Sequence, residues 1–271
     1  MAIEAGVAKR PVVMCAIDLE PATRRVLYHA AGLARVLGGD LKIVHVAPDD
    51  SPETHRRVLS QCLIEAPDQE IDESDVMVRT GRVSEMIQRE ALRHDAALIV
   101  IGSRGRGGLS RMVLGSSGTA LMRTARTPVL FVPFTDIDIV SIGDNAALTC
   151  GLVLAAVDLE EACAHQLRMA ARLAKLAHGP LMLMTVARAC LSEHDAAQQL
   201  RQRAHQLAIT PHGLIVRRGD VAIQISQCAT AECAGLVVMG LRERPRGRAG
   251  AIASAVLEAG RAFVLAVPGC H

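Results

Sequence analysis

Aromatic side chains are almost missing from this sequence. Tyr28, Phe131, Phe134 and Phe263 are the complete set, and tryptophan is absent. A core must therefore be built from Ala, Val, Leu, Ile and Met, and binding of single-stranded nucleic acid by stacking bases on aromatic rings lacks its usual platform. No apolar run reaches the roughly 18 residues that a membrane-spanning helix needs. The opening residues carry Glu4, Lys9, Arg10 and Pro11 where a secretion signal requires an uninterrupted apolar stretch, so the expected location is the cytoplasm. Charge of one sign is also lacking: 30 Lys and Arg stand against 28 Asp and Glu, a net +2. That balance excludes whole-protein attraction to nucleic acid or anionic membrane, and any basic site must be local. Eight cysteines form no C-x-x-C pair with metal or redox spacing, and ten histidines form no H-x-x-x-H pair. Cys228 and Cys233, read as lying on one helix, point about 140° apart, which disfavours a shared metal. Zinc catalysis and a Ser-His-Asp hydrolase have no support here.

What is present is a repeat. A length of 271 residues suggests two domains, and an apolar fraction of 50% against 21% charged residues excludes global disorder. Val12 to Asp18 is an apolar run ending in an acid, and Leu152 to Asp158 repeats it 140 positions later. Each precedes a stretch with apolar residues at helical spacing: Val26, Leu27, Ala30, Leu33, Ala34 and Leu37, then Leu167, Ala170, Ala171, Leu173, Ala174 and Ala177. Gly38-Gly39 and Gly179-Pro180 stop these helices. Strands follow at 41–46 and 181–186, then at 76–81 and 214–219, with helices over 82–94 and 221–233. The runs 97–102 and 236–240, then 128–133 and 263–268, complete the two series. Buried strands alternating with helices specify right-handed crossovers, hence α/β architecture: two tandem five-stranded open parallel sheets with helices on both faces. Residues 134–149 have the composition of a connecting segment. The expected domains are 1–140 and 146–271.

In open parallel sheets, ligands lie at the carboxyl ends of strands where the winding reverses. In the first half Gly102-Ser103-Arg104-Gly105 is followed, after nine residues, by Gly115-Ser116-Ser117-Gly118 and a helix. Glycines allow close backbone approach and positive φ, and free N–H groups at a helix start attract phosphate oxygens, with the Ser116 and Ser117 hydroxyls adding donors. On the glycines alone, a flexible loop with an ordinary helix cap fits equally well. The position after a buried strand favours a nucleotide site, although neither a G-x-x-x-x-G-K-S/T nor a G-x-G-x-x-G pattern occurs. Asp18 can accept from a ribose hydroxyl or face phosphates through a cation, or can serve only the turn before Pro21. Val46 ends the second strand, where its backbone can meet an adenine edge. His45 reads as a core-edge residue with a backbone partner.

The spacing G-x2-G-x9-G-S/T, met by Gly102, Gly105, Gly115 and Ser116, resembles the ATP-binding signature of the universal stress protein family. The resemblance extends over nearly the whole chain as two copies and includes Asp18, Val46 and the closing Pro128–Pro133 strand. It implies an adenine nucleotide alpha hydrolase-like fold and adenine nucleotide at Ala16, Ile17, Asp18, Val46, Gly102, Arg104, Gly105, Gly115, Ser116 and Ser117. The nucleotide would be ATP, with or without Mg2+, or AMP. It also implies dimer-like association through the last strands, which a tandem chain can satisfy internally, with homodimer formation in addition.

The second copy departs from this pattern. Gly240-Leu-Arg-Glu243 and then Ala253-Ser254 put a carboxylate and a Cβ where the first copy has Gly105 and Gly115. One competent nucleotide site is expected, in the first half, with weak or nucleoside-only binding as the alternative in the second. Arg104, Arg106 and Arg111 can reach phosphates, Arg104 most directly, with solvated surface an equal reading for the other two; Arg242, Arg244, Arg246 and Arg248 read as a solvated basic loop, with an anion or nucleic-acid contact as the alternative. The expected function is a stress-response, ATP-binding regulatory module that acts on an unidentified protein partner, with at most slow ATP hydrolysis and no catalytic residue or resident metal. An adenylyl- or phosphotransfer enzyme is the alternative, for which the second half offers no evident residue set. A scaffold without nucleotide is the third reading.

Overall fold

The computed structural model describes residues 9–20, 22–66, 69–103, 115–143, 145–241, 251–259 and 262–269. The first half runs β1 (Val12–Ile17), α1 (Thr23–Val36), β2 (Asp40–Val46), α2 (Pro52–Glu65), β3 (Val76–Arg79), α3 (Val83–Arg93), β4 (Ala96–Gly102), α4 (Ser116–Thr124) and β5 (Val129–Val132). After β6 (Val140–Ser141) and β7 (Ala147–Leu148), the second half repeats the order as β8 (Leu152–Ala156), α5 (Ala164–Leu176), β9 (Leu181–Val186), α6 (Glu193–Gln206), β10 (Gly213–Arg217), α7 (Val221–Ala231), β11 (Ala234–Leu241), α8 (Ala251–Ala259) and β12 (Phe263–Pro268).

Local chemistry explains many of these boundaries. Ser51 caps α2 by accepting the Thr54 N–H at 3.2 Å, and Pro52 takes the first helical position, where its missing N–H costs nothing. Asp220 caps α7 by accepting from Ile223 N–H at 3.0 Å. The turn from α1 into β2 is so tight that a Cβ on Gly39 would lie 1.9 Å from the Pro11 carbonyl oxygen. Gly179 repeats this in the second half, 2.1 Å from Gly151 O. Only glycine fits either return.

The strands form one ten-stranded sheet in the order β10-β9-β8-β11-β12-β5-β4-β1-β2-β3. Within each half neighbouring strands are parallel; β5 and β12 pair antiparallel, with Leu130 opposite Leu265. The two five-stranded halves thus meet through their last strands and share a continuous core. Alternation along β1 sends Val13, Cys15 and Ile17 toward the layer of α1, α2, α5 and α6, and Met14 and Ala16 toward α3, α4, α7 and α8. With each face buried, strands read as unbroken apolar runs.

Two expectations change. The connecting segment contains the antiparallel β6–β7 pair, and buried Val140 packs so closely on α1 that a Cβ at Gly32 would come within 2.8 Å of it. Cys233 does not share a helix with Cys228: α7 ends at Ala231, and Cys233 is exposed at φ 51°. The described residues contain no group of three or more potential metal ligands and no helix long and apolar enough to cross a membrane.

Candidate functional site

In the first half the winding direction reverses between β1 and β4, which are hydrogen-bonded neighbours. Their carboxyl ends, with that of β2, bring together five of the ten residues singled out in the sequence, Ala16, Ile17, Asp18, Val46 and Gly102. Ala16 stands in register with Val44 and Ile101, and both Ala16 and Ile17 are buried. Asp18 follows directly and accepts the Glu20 N–H at 3.2 Å, so it shapes the turn rather than capping α1, whose cap residue is Ala22. Val46, half-buried, ends β2 opposite Arg79, and Gly102 ends β4 opposite Val132. His45 is buried, its Nδ1–H donating to Ile17 O at 3.0 Å.

Gly115 is the cap residue of α4, with Ser116 exposed and Ser117 half-buried in the first turn. Among the described residues no side chain caps this helix, so its first N–H groups suit an anion. Gly115 has φ −58°, an ordinary backbone angle, so the positive φ expected of this glycine is not used. Arg104, Gly105, Arg106 and Arg111 lie outside the described residues, as do Arg242, Glu243, Arg244, Arg246 and Arg248.

Sequence reading missed two hydroxyls. Ser103, immediately after β4, is 4% exposed, and among the described residues its Oγ has no hydrogen-bond partner; Thr23 Oγ1, at the start of α1, is likewise buried and unpaired among them. Buried hydroxyls are rarely left unsatisfied unless water or a ligand serves them. Nothing in the local pattern marks them, because their burial depends on packing across separate elements.

The second half differs at the same edge. Asp158 repeats the turn of Asp18 by accepting Glu160 N–H at 3.0 Å. But α8 already includes Ala253, the counterpart of Gly115, and buries it. The helix start is therefore shifted upstream, and the N–H groups that α4 offers at its first turn are used inside α8. The second half also contains a cavity of about 570 Å³ at the carboxyl ends of β8, β9 and β11, lined by residues that include Asp158, Gln166, Met184 and Met239. This corrects the expectation that the second half has no residue set for a pocket.

Fold and edge geometry define a doubly wound α/β protein with a switch point in each half, the second of which opens on a cavity. Residues 10–133 match the family model described as Universal stress protein family. The N-terminal half of the chain is therefore similar to the universal stress protein family. The chain is 31% identical over 136 residues to a universal stress protein of Mycolicibacterium smegmatis, covering 44% of this chain and 45% of the relative. A universal stress protein of Mycobacterium tuberculosis is 44% identical over 55 residues, 20% of this chain and 18% of that one. The chain thus aligns with less than half the length of these curated relatives. Among solved structures, a universal stress protein from Archaeoglobus fulgidus superposes with TM-score 0.71 at 17% identity, over 96% of this chain and 97% of that one. A protein of unknown function from Pseudomonas aeruginosa gives 0.67 at 18% identity, over 96% and 93%. These structures share the fold across both halves.

Proposed function

We propose that the N-terminal half, as a domain spanning 1–140, binds an adenine nucleotide at the carboxyl edge of β4, β1 and β2. The nucleotide is ATP, with or without Mg2+, or AMP. The observation that carries this reading is the uncapped start of α4 at Gly115, in a chain whose Gly102–Ser116 spacing matches an ATP-binding signature. The backbone N–H groups of the first turn of α4 would donate to phosphate oxygens, together with the Ser116 and Ser117 hydroxyls. Asp18 would accept from the ribose or meet a cation carried by the phosphates. Val46, Ala16 and Ile17 would form the apolar side of the adenine site. Ser103 Oγ, buried and unpaired, gains a partner if a ligand or ordered water enters.

The domain over 146–271 would then act as the structural or regulatory counterpart, in a cytoplasmic stress response, with a protein partner or a second copy of the chain reading the nucleotide-bound state. Titration calorimetry with ATP and AMP tests the site. Binding in the parent that Gly115→Asp weakens at least tenfold, with folding intact by circular dichroism, supports it. No heat with either nucleotide, or equal affinity in the variant, overturns it. Turnover of ATP near ordinary enzyme rates of roughly 1–1000 per second would instead identify a catalyst.

A further inference from the structure

The cavity of about 570 Å³ in the second half has the size of ordinary small-molecule sites. Matched positions explain why it is there and how it differs from the first half. Across β11, β8 and β9, Met239, Ala156 and Met184 stand in one row, with the small alanine between two methionines. The corresponding row in the first half is Ile101, Ala16 and Val44. Stiff β-branched side chains are thus replaced by flexible thioethers, which make favourable contacts with aromatic rings. His45, whose ring fills the edge beside Ile17, is replaced by the smaller Thr185. Val26, a buried apolar residue on α1, is replaced by Gln166 on α5.

Gln166 is 5% exposed, and its Nε2 donates to Ala156 O at 2.7 Å and Val238 O at 3.0 Å. It therefore bridges β8 and β11 at the switch point. Those bonds use both amide hydrogens and fix the flip of the group, leaving Oε1 as an acceptor beside Gly240, where an added Cβ would come within 3.2 Å of it. Among the described residues Oε1 has no partner. The rest of the wall is largely apolar, with Val186, Ile225 and Ile252, while Asp158, Glu160 and Glu161 line the mouth against Arg188, which is ion-paired with Glu160. Ala253 inside α8 removes the anion cradle that α4 offers.

We infer that this cavity is a second ligand site, distinct in chemistry from the one proposed for the first half. It takes an uncharged small molecule with an aromatic or similarly flat apolar body and an N–H donor, the body resting on the Met239–Ala156–Met184 row and the donor reaching Gln166 Oε1. The inference does not depend on nucleotide binding by the first half.

Two dyes that share one aromatic amine framework test it: neutral N-phenyl-1-naphthylamine and its anionic sulfonate, 8-anilino-1-naphthalenesulfonate. The full chain is expected to bind the neutral dye saturably at one site, with a rise in fluorescence, and the sulfonate at least tenfold more weakly. Val186→Trp, at a half-buried lining position, fills the cavity and should abolish binding, whereas Val46→Trp, at the matched position of the first half, should leave it unchanged. Gln166→Met should weaken the neutral dye several-fold. If the neutral dye does not saturate, if Val186→Trp binds as the parent does, or if Val46→Trp is the variant that loses binding, the assignment is overturned. Equal or tighter binding of the sulfonate overturns the stated ligand chemistry.

Discussion

His29 places a titratable group inside the junction between the halves, and the resulting acid sensitivity can be calculated. The imidazole is fully buried on α1, its ring centroid 4.7 Å from that of Phe263 on β12. Nδ1–H donates to Arg25 O at 2.8 Å, and Nε2 accepts from Ile139 N–H at 3.4 Å. Burial pushes the imidazole from its ordinary 6.5 down to about 4, opposed by the bond to the Arg25 carbonyl; the Arg25 charge adds to the lowering and Asp138 opposes it. Between pH 6.5 and 4 the unfolded chain takes up a proton that the folded chain refuses. Stability is therefore full above pH 6.5 and falls as the pH drops toward 4. A gap of this size removes about 2 kcal/mol between pH 7 and pH 5. Urea unfolding of the parent and of His29→Gln at half-unit steps over that range measures it. The variant starts less stable but should lose less stability as the pH falls, by about 2 kcal/mol over the range. Because every other histidine is present in both proteins, parallel pH profiles would refute the argument.

Three further outcomes follow from the same packing. Arg25 donates to Pro133 O at 3.0 Å and to Ile137 O, pairs with Asp138 at 2.6 Å and lies over Phe263, so Arg25→Ala should cost about 2 kcal/mol and speed proteolysis within 134–139. Arg25→Lys should recover little of this, since an ammonium cannot serve those acceptors in the same fork. Glu90, 2% exposed and lowered from the usual carboxylate pKa by the Arg79 hydrogen bonds, takes guanidinium donors at 2.9 and 3.1 Å. Glu90→Gln should cost about 3 kcal/mol in denaturant melts, and Glu90→Leu combined with Arg79→Met should recover most of it. Gly39→Ala, which drives a Cβ into the Pro11 carbonyl, should be more damaging than Gly38→Ala, where the space is open and only φ +63° is strained, at about 1 kcal/mol; thermal melts that reverse this order would refute the close-approach argument.

The sheet was legible because most of its strands are largely apolar runs with a glycine or proline at or near one end. Strand β9 occupies 181–186 as read, and helices expected over 82–94 and 221–233 form Val83–Arg93 and Val221–Ala231. Their ends shifted where the chain leaves the helix through positive φ at Asp95 and Cys233, residues without a glycine signal. The β6–β7 pair was not legible: two-residue strands carry no periodicity, and what holds them is the fit of Val140 onto Gly32. At the candidate site, strand ends and the Gly115–Ser117 helix start could be read locally. The unpaired hydroxyls of Ser103 and Thr23 could not, nor could the cavity of the second half, because each depends on the size of side chains distant in sequence.

The two halves diverge unevenly, and the sheet explains how. At the amino edge the constraints are main-chain ones: Gly39 against Pro11 O, Gly179 against Gly151 O, and strand registers that repeat at an offset of 140. A side chain of any type except glycine would break the turn, so both copies retain the same solution. At the carboxyl edge the contacts are made by side chains, and exchanges such as His45 for Thr185 or Val26 for Gln166 alter the space without disturbing a backbone bond. Antiparallel pairing of β5 with β12 then locks the halves through main-chain bonds that side-chain exchange at the carboxyl edge leaves in place. One copy can thereby present an open helix start while the other encloses an apolar cavity, because the residues that differ are not those that hold the sheet together.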